Sequence, residues 1–523
     1  MRKIILAACA FFVLYSSAAQ SNQDFKDLQK FTQFYNYLTR TYIDTVNTSV
    51  LVENGIKEML KELDPHSAYV TAEEMKGVNE SFGANFEGIG IEFNVFNDTV
   101  IVVNTIAGGP SEKVGLLPND RIVAVGDSNI VGIKQMEVPK LLKGPKGTVV
   151  DISVARRGVP DILKFRIVRD AIPLNTVDAV YKVDDKTGYI KLNRFAASTD
   201  KEIKDGIRSL GSIEALILDL RGNSGGFMDT AVDVSGNFLK RGSLVVSMEG
   251  RSISPQTFNS KGFPLFEKGK LIILVDEFSA SSSEIVAGAI QDWDRGLIIG
   301  RPTFGKGTVQ RQFPLVDGSA VRITMARYHT PSGRVIQRPY EKGKSEEYYL
   351  DFANRFNTDS IPVSYPDSLK YSTLRSHRTV YGGGGITPDI TVPRDTSYYS
   401  DYRSALIRNG VVGEFAIGYL DNNRGILLAE YPDFESFDSR FEISEQIISD
   451  LVALGEKRGV TYDETGMSRS RGEISMLLKA LVAQRLWGVA EYYRVINKSA
   501  DEAFSKALEV LGDWDKYGTG IFI

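Results

Sequence analysis

A continuous apolar run, Leu271 to Val275, delivers the chain to a turn that holds Ser279, Ser281, Ser282 and Ser283, and a helix-patterned segment follows at once. No other feature limits the fold as tightly. A short run that is apolar throughout reads as a strand buried on both faces, the pattern of a parallel sheet covered by helices. Ile285, Val286, Ala289, Ile290 and Trp293 then recur at helical spacing on one face, and Gly296 is placed to end the helix as a C′ residue. The serines therefore stand where a buried strand hands over to a helix N-terminus, whose free N–H groups point outward. Such donors can hold a developing oxyanion, and the positive end of the helix dipole disfavours an ammonium nearby.

A serine hydroxyl is a poor nucleophile until a base takes its proton. The chain has three histidines, His66, His329 and His377, and none is near these serines in sequence. Downstream, Phe304-Gly-Lys-Gly307 sets one lysine between two glycines. Lysine serves as a base once burial lowers its pKa, because desolvation disfavours the charged form. The same residues admit other readings. Ser281-x-x-Glu284 fits a capping box, which would make Ser281 a helix cap only. Gly300-x-x-x-x-Gly305-Lys306 imitates a phosphate-binding loop. However, Gly307 stands where Ser or Thr should bind magnesium, and Thr308 to Phe313 alternates like a strand, so a nucleotide site is rejected. The loop Asp219-Leu-Arg-Gly-Asn-Ser-Gly-Gly226 also follows an apolar run, Ala215 to Leu220. Its paired glycines allow close backbone approach, and Gly225 or Gly226 could supply a second oxyanion N–H; an ordinary strand-to-helix turn is the plainer reading.

The chain is 523 residues long, too long for one hydrophobic core. A net charge of −4 without a large basic block argues against nucleic acid as the main partner. Arg2 and Lys3, the apolar stretch Ile4 to Tyr15, and Ser17-Ala-Ala19 read as a signal peptide over residues 1–19, which predicts export to a bacterial periplasm or cell envelope. Leu6-Ala-Ala-Cys9 looks like a lipoprotein acylation site, but few apolar residues precede it. Cleavage after Ala19 is preferred, and it removes the only cysteine. No other stretch is long enough to span a bilayer.

Residues 20–82 are helical in pattern, with Phe31, Phe34, Tyr35, Leu38 and Tyr42 on one face and a second amphipathic run from Val52 to Leu63; a packing cap is expected. Residues 83–170 turn strand-like, with Gly88-Ile-Gly-Ile91, Val100 to Val103, Val149 to Val154 and Leu163 to Val168. This run resembles a PDZ domain. The resemblance implies that Gly88, Ile89, Gly90 and Ile91 offer N–H groups to a peptide's terminal carboxylate while the peptide adds a strand. The alternative is a small β-barrel without a ligand. Residues 171–395 alternate strands and helices, and residues 396–523 are helical again, with Leu451, Leu454 and Ile474 to Trp487 at helical spacing.

Together these segments resemble the carboxyl-terminal processing (tail-specific) proteases. Leu63-Asp-Pro-His-Ser-Ala-Tyr69, the glycine loop, Ser279 to Ile285, Thr303 to Gln310, Tyr328 to Gln337 and Gly385-Ile-Thr-Pro-Asp389 carry the likeness. It implies a multidomain α+β and α/β protein. A crotonase-like serine–lysine protease core, an inserted PDZ-like β domain, and helical N- and C-terminal regions (the last an accessory domain) are expected. The family's nucleophile lies 25 residues before its lysine, which selects Ser281 for Lys306. Its third catalytic member, four residues after the lysine, falls on Gln310, expected to orient the amine by a hydrogen bond. Ser282 N–H, where alanine is usual in the family, and Gly225 N–H are the implied oxyanion donors. No metal or cofactor is implied, and the partners are proteins or peptides with free C-terminal tails; a homo-oligomer is left open. The rival functions are a non-catalytic PDZ scaffold and an esterase or amidase for small substrates.

Overall fold

A computed structural model describes residues 23–83, 85–96, 98–106, 108–354, 366–499 and 501–521. The signal segment and Cys9 lie outside the described residues. The strand anticipated before the serines is Lys270–Val275, near the middle of a six-stranded sheet. Ala215–Asp219 and Leu297–Gly300 flank it. Thr187–Leu192 and Val177–Lys182 continue one side, and Ile390–Thr391 ends the other. All pairings are parallel except the hairpin formed by Val177–Lys182 and Thr187–Leu192.

Parallel strands this apolar need cover on both faces. On one face the helices Thr199–Ser209, Met228–Ser235 and Ser282–Asp292 pack Ile203, Ile207, Val232, Ile285 and Val286 against Ile190, Leu218 and Ile273. The helix Ser282–Asp292 is buried at every residue, where one apolar face was expected. Its polar members are tolerated because partners meet them, as with the buried pair Asp292–Arg334. On the other face, Tyr189, Ile217, Ile272 and Leu274 are covered by Phe504, Ala507, Val510 and Leu511 of the helix Glu502–Gly512, and by Trp514. The expected accessory region thus divides: its last helices close the second face of the core sheet. Phe504→Ala is expected to lower unfolding free energy by about 3 kcal/mol, through lost burial plus a cavity. Chemical denaturation of wild type and variant measures this.

A second sheet joins Ala68–Val70, Ala320–His329, Leu244–Gly250 and Ile253–Asn259, with Thr308–Pro314 also paired to Ala320–His329. It carries the lysine segment and draws in the N-terminal signature: Ala68 stands opposite Arg322. The PDZ-like region has its own core of Val100, Val102, Ile122, Ile152, Val154 and Ile167. Its sheet is open, not closed into a barrel, and Ile91–Phe96 is an edge strand. That region docks on the helix Val411–Glu430, where Arg121 pairs with Asp421 and Arg157 donates to Asn422 Oδ1 at 2.6 Å.

The N-terminal helices form, at 23–41 and Thr48–Lys61, but their apolar residues are left largely uncovered. Phe34 and Tyr42 are each 59% exposed, and Leu60 is the one buried residue of Thr48–Lys61. Helical periodicity places apolar residues on one face; only a tertiary partner can bury it.

Candidate active site

Ser281 occupies the N-cap of Ser282–Asp292 with φ 55° and ψ −111°. A non-glycine residue with such a positive φ costs on the order of 1–3 kcal/mol and persists only where its surroundings fix it. Here the fixing is dense. Asp276 Oδ1 accepts the N–H groups of Gly222, Phe278 and Ser279 at 2.9, 3.1 and 3.1 Å. Ala280 N–H and the Ser283 hydroxyl both donate to the Asn223 carbonyl, at 3.0 and 2.8 Å. The serine turn and the glycine loop are therefore one stitched unit. Gly225, with φ +100°, makes that approach possible: a Cβ there would lie 2.9 Å from Ser281 Cβ and 3.0 Å from Ser282 N.

The oxyanion expectation needs one correction. Ser282 N–H has no hydrogen-bond partner among the described residues, but Gly225 N–H donates to Asn223 Oδ1 at 2.9 Å. The asparagine side chain folds back on the backbone two residues on, an Asx turn, and occupies that donor. Gly226 N–H, the alternative in the same loop, has no such partner among the described residues.

Glu284 is the residue that links the two segments. The capping box is present, with Ser281 N–H donating to Glu284 Oε2 at 2.7 Å. The same fully buried carboxylate also accepts Thr303 Oγ1 at 2.6 Å, Gly305 N–H at 2.7 Å and Lys306 N–H at 3.0 Å. Burial pushes its pKa up to about 7, against the four donors that favour the ion. Tyr328 adds a second tie, its hydroxyl donating to the Lys306 carbonyl at 2.7 Å and the Ser281 carbonyl at 3.2 Å.

Ser281, Lys306 and Gln310 line one cleft of about 1290 Å³. The Lys306 pKa is lowered from its ordinary 10.5, first by burial and then by the Arg322 charge; Glu284 and Asp64 oppose this. The Lys306 amine makes no hydrogen bond among the described residues, so the expected contact with Gln310 is not formed. The Gln310 amide instead donates to Thr308 Oγ1 at 2.9 Å and Thr324 Oγ1 at 3.2 Å. Thr324 Oγ1 in turn donates to Asp64 Oδ1 at 3.0 Å. The strand carries a bulge between Val309 and Gln310.

The signature segment also brings a histidine. His66 lines the cleft, and its Nε2 is buried without a hydrogen-bond partner. Burial, then the Lys306 charge, push its pKa down to about 4. Sequence reasoning noted Glu284 as a cap and Asp64 and His66 as family markers, without roles in the cleft. Tyr328 stands in the sequence only as a later family marker, and Arg322 carries no local signal. The Gly88 to Ile91 loop opens the edge strand of the PDZ-like sheet; Ile89 is buried and Gly90 has φ +75°.

A parallel core with a strained serine at a helix N-terminus, a partly buried lysine in the same cleft and an appended PDZ domain defines a class, and family models agree with it. Peptidase family S41 matches residues 186–342, a PDZ domain 88–166, the activating protease CtpB N-terminal domain 12–74, and a family of unknown function 402–488. The chain belongs to the carboxy-terminal processing proteases. It is 35% identical to the carboxy-terminal-processing protease of Bartonella bacilliformis, over 64% of this chain and 80% of that one. Carboxy-terminal processing protease CtpA of Bacillus subtilis is 33% identical, over 66% and 77%. A probable CtpA-like serine protease of Staphylococcus epidermidis is 29% identical, over 82% and 80%. No described helix is long and apolar enough to cross a membrane.

Proposed function

We propose that this protease cuts proteins near their C-termini by a serine–lysine mechanism, outside the cytoplasm, with tails captured by the PDZ domain. One observation carries the reading: Ser281, held at a strained helix N-terminus, shares a cleft with Lys306, whose pKa burial lowers. Neutral Lys306 takes the proton from the Ser281 hydroxyl as Oγ attacks the scissile carbonyl. The oxyanion is held by Ser282 N–H and, in place of Gly225, Gly226 N–H. Lys306 then protonates the leaving amine, and water hydrolyses the acyl-enzyme. Gln310, Thr324 and Asp64 act by holding the strand that follows the lysine. His66 is a poor candidate for the base, because a group with a pKa near 4 has little driving force to take a proton at neutral pH.

The test is covalent labelling of the mature protein with a serine-reactive phosphonate, followed by digestion of tailed proteins. Labelling at Ser281 excludes a scaffold, and cleavage of the tailed proteins excludes an enzyme of small substrates alone. Tail capture makes its own prediction. Backbone donors at Gly88 to Ile91 hold a carboxylate by charge-assisted hydrogen bonds. Amidating the substrate's terminus should therefore raise KM several-fold with little change in kcat. Equal KM values for the acid and the amide would remove carboxylate recognition from that loop.

A further inference from the structure

The charged side chains that line the cleft are of one sign, although Glu284 and Asp64 act on Lys306 from behind it. The chain has 66 acidic and 62 basic residues, yet the cleft lining includes Arg194, Arg311, Arg322 and Lys306 and no Asp or Glu. Several other arginines of the core sit on carboxylates, Arg221 on Asp219 and Asp501, Arg334 on Asp292, Arg378 on Asp294 and Asp389, while Arg295 is held by the Phe238, Gly269 and Phe266 carbonyls. The cleft arginines are less buried than Arg295 and Arg334. Arg194 Nε donates to the Asn193 amide oxygen at 3.0 Å, and Arg311 lies over the Phe313 ring at 5.5 Å. None of the three pairs with a carboxylate among the described residues. Phe195, Phe227, Phe278, Phe304 and Phe352 line the same cleft. Arg194 and Arg322 are half-buried and Arg311 is exposed, so all three guanidinium groups can be reached by a bound chain.

The three do not share one task. Arg322 acts on Lys306 and helps to keep its amine neutral. A substrate carboxylate seated on Arg322 would cancel that field and return the proton to Lys306. Arg194 and Arg311 carry no such duty. They come from separate elements: Arg194 follows the strand Thr187–Leu192 beside Phe195, which bridges to Gly226, and Arg311 is in Thr308–Pro314.

Resting on the reading of this cleft as the active site, we propose that Arg194 and Arg311 select substrates that place a carboxylate in the cleft segment next to the scissile bond. The carboxylate is an Asp or Glu side chain or the chain's own terminus, which share this chemistry.

The experiment uses full-length Ser281→Ala protein for binding and the unaltered enzyme for turnover. Fluorescent peptides, all with amidated ends, carry Glu or Gln at each position across the cleavage site in turn, and the all-Gln peptide is also made as a free acid. Glu at one or more positions should bind about tenfold tighter than Gln, the size of a charge-assisted hydrogen bond. The gain should shrink with added salt. It should fall to about twofold or less when Arg194→Gln and Arg311→Gln are added together, and Arg194→Lys with Arg311→Lys should restore part of it. A free-acid gain lost in the double Gln variant assigns the terminus as the source. Thermal midpoints near the parent's show that the variants are folded. Equal affinity for Glu and Gln at every position, together with a free-acid gain that the double Gln variant keeps, overturns the inference. If the unaltered enzyme still cleaves those peptides, the serine–lysine reading stands without it. If it cleaves none and Ser281 is not labelled by the phosphonate, the serine–lysine reading falls, and a Glu preference that persists in binding overturns the placement next to a scissile bond and leaves only a carboxylate-binding cleft.

Discussion

Ser281→Ala should lower peptide cleavage by about 10⁴-fold or more, with its unfolding midpoint close to the wild type's, because the loss of a nucleophile leaves only binding and oxyanion stabilisation. Lys306→Ala should do the same. Lys306→Arg should fare no better, because a guanidinium stays protonated and cannot act as a base. The rate constant kcat/KM should rise as the pH climbs from acid past neutrality. The sign follows from the lowered Lys306 pKa: less alkali than an ordinary lysine needs will free its amine. His66→Ala separates the two candidate bases. If the histidine variant is inactive and Lys306→Arg is active, the lysine assignment is wrong. Initial rates on one tailed peptide, from pH 5 to 10, give both comparisons.

Glu284 should be the most costly residue to change outside the reacting groups. Its two oxygens accept four donors, from Ser281, Thr303, Gly305 and Lys306. Alanine leaves all four unmet inside the protein, and removing one side of a buried charged network costs about 3–5 kcal/mol. Glutamine keeps the shape but turns an NH₂ toward donors, so it should also lose activity, on the order of 10²-fold, through misplacement of Ser281 against Lys306. The two pH effects run in opposite directions. Since the folded pKa of about 7 lies above the ordinary 4.5, the folded protein holds this proton more tightly. The stability contribution from Glu284 is therefore full below its ordinary pKa and is lost as the pH rises through about 7. Activity gains over the same range, since only the ion accepts all four donors. Thermal midpoints against pH for wild type and Glu284→Gln test this, and an unchanged slope in the variant would falsify the linkage.

The parts of this site legible in the sequence are those set by local rules. An unbroken apolar run must be covered on both faces, so Leu271 to Val275 had to be an interior strand, and it is. Ser281 at the following helix start and the glycines that admit it are likewise local. The family's spacing puts Gln310 in the cleft with Lys306, but its amide is held by Thr308 and Thr324. Gly225 was chosen as a donor from a pair of glycines, and the Asn223 side chain two residues away had already taken its N–H.

What the sequence determined by itself was the kind of protein: the strand–serine–helix unit, the lysine between glycines, the PDZ-like module and the order of the regions. Each rests on interactions within a few residues, or on motifs whose spacing the chain preserves. The tertiary structure alone decided which distant segments complete the site. His66 reaches the cleft, and Asp64 reaches the Thr324 hydroxyl, because Ala68–Val70 pairs with Ala320–His329. Arg322, on the strand Ala320–His329, acts on Lys306, and Phe504 seals the core sheet from the far end of the chain. Burial and electrostatic coupling depend on distance in space, so a residue's exposure, its pKa and its partner are settled only when the whole chain has folded.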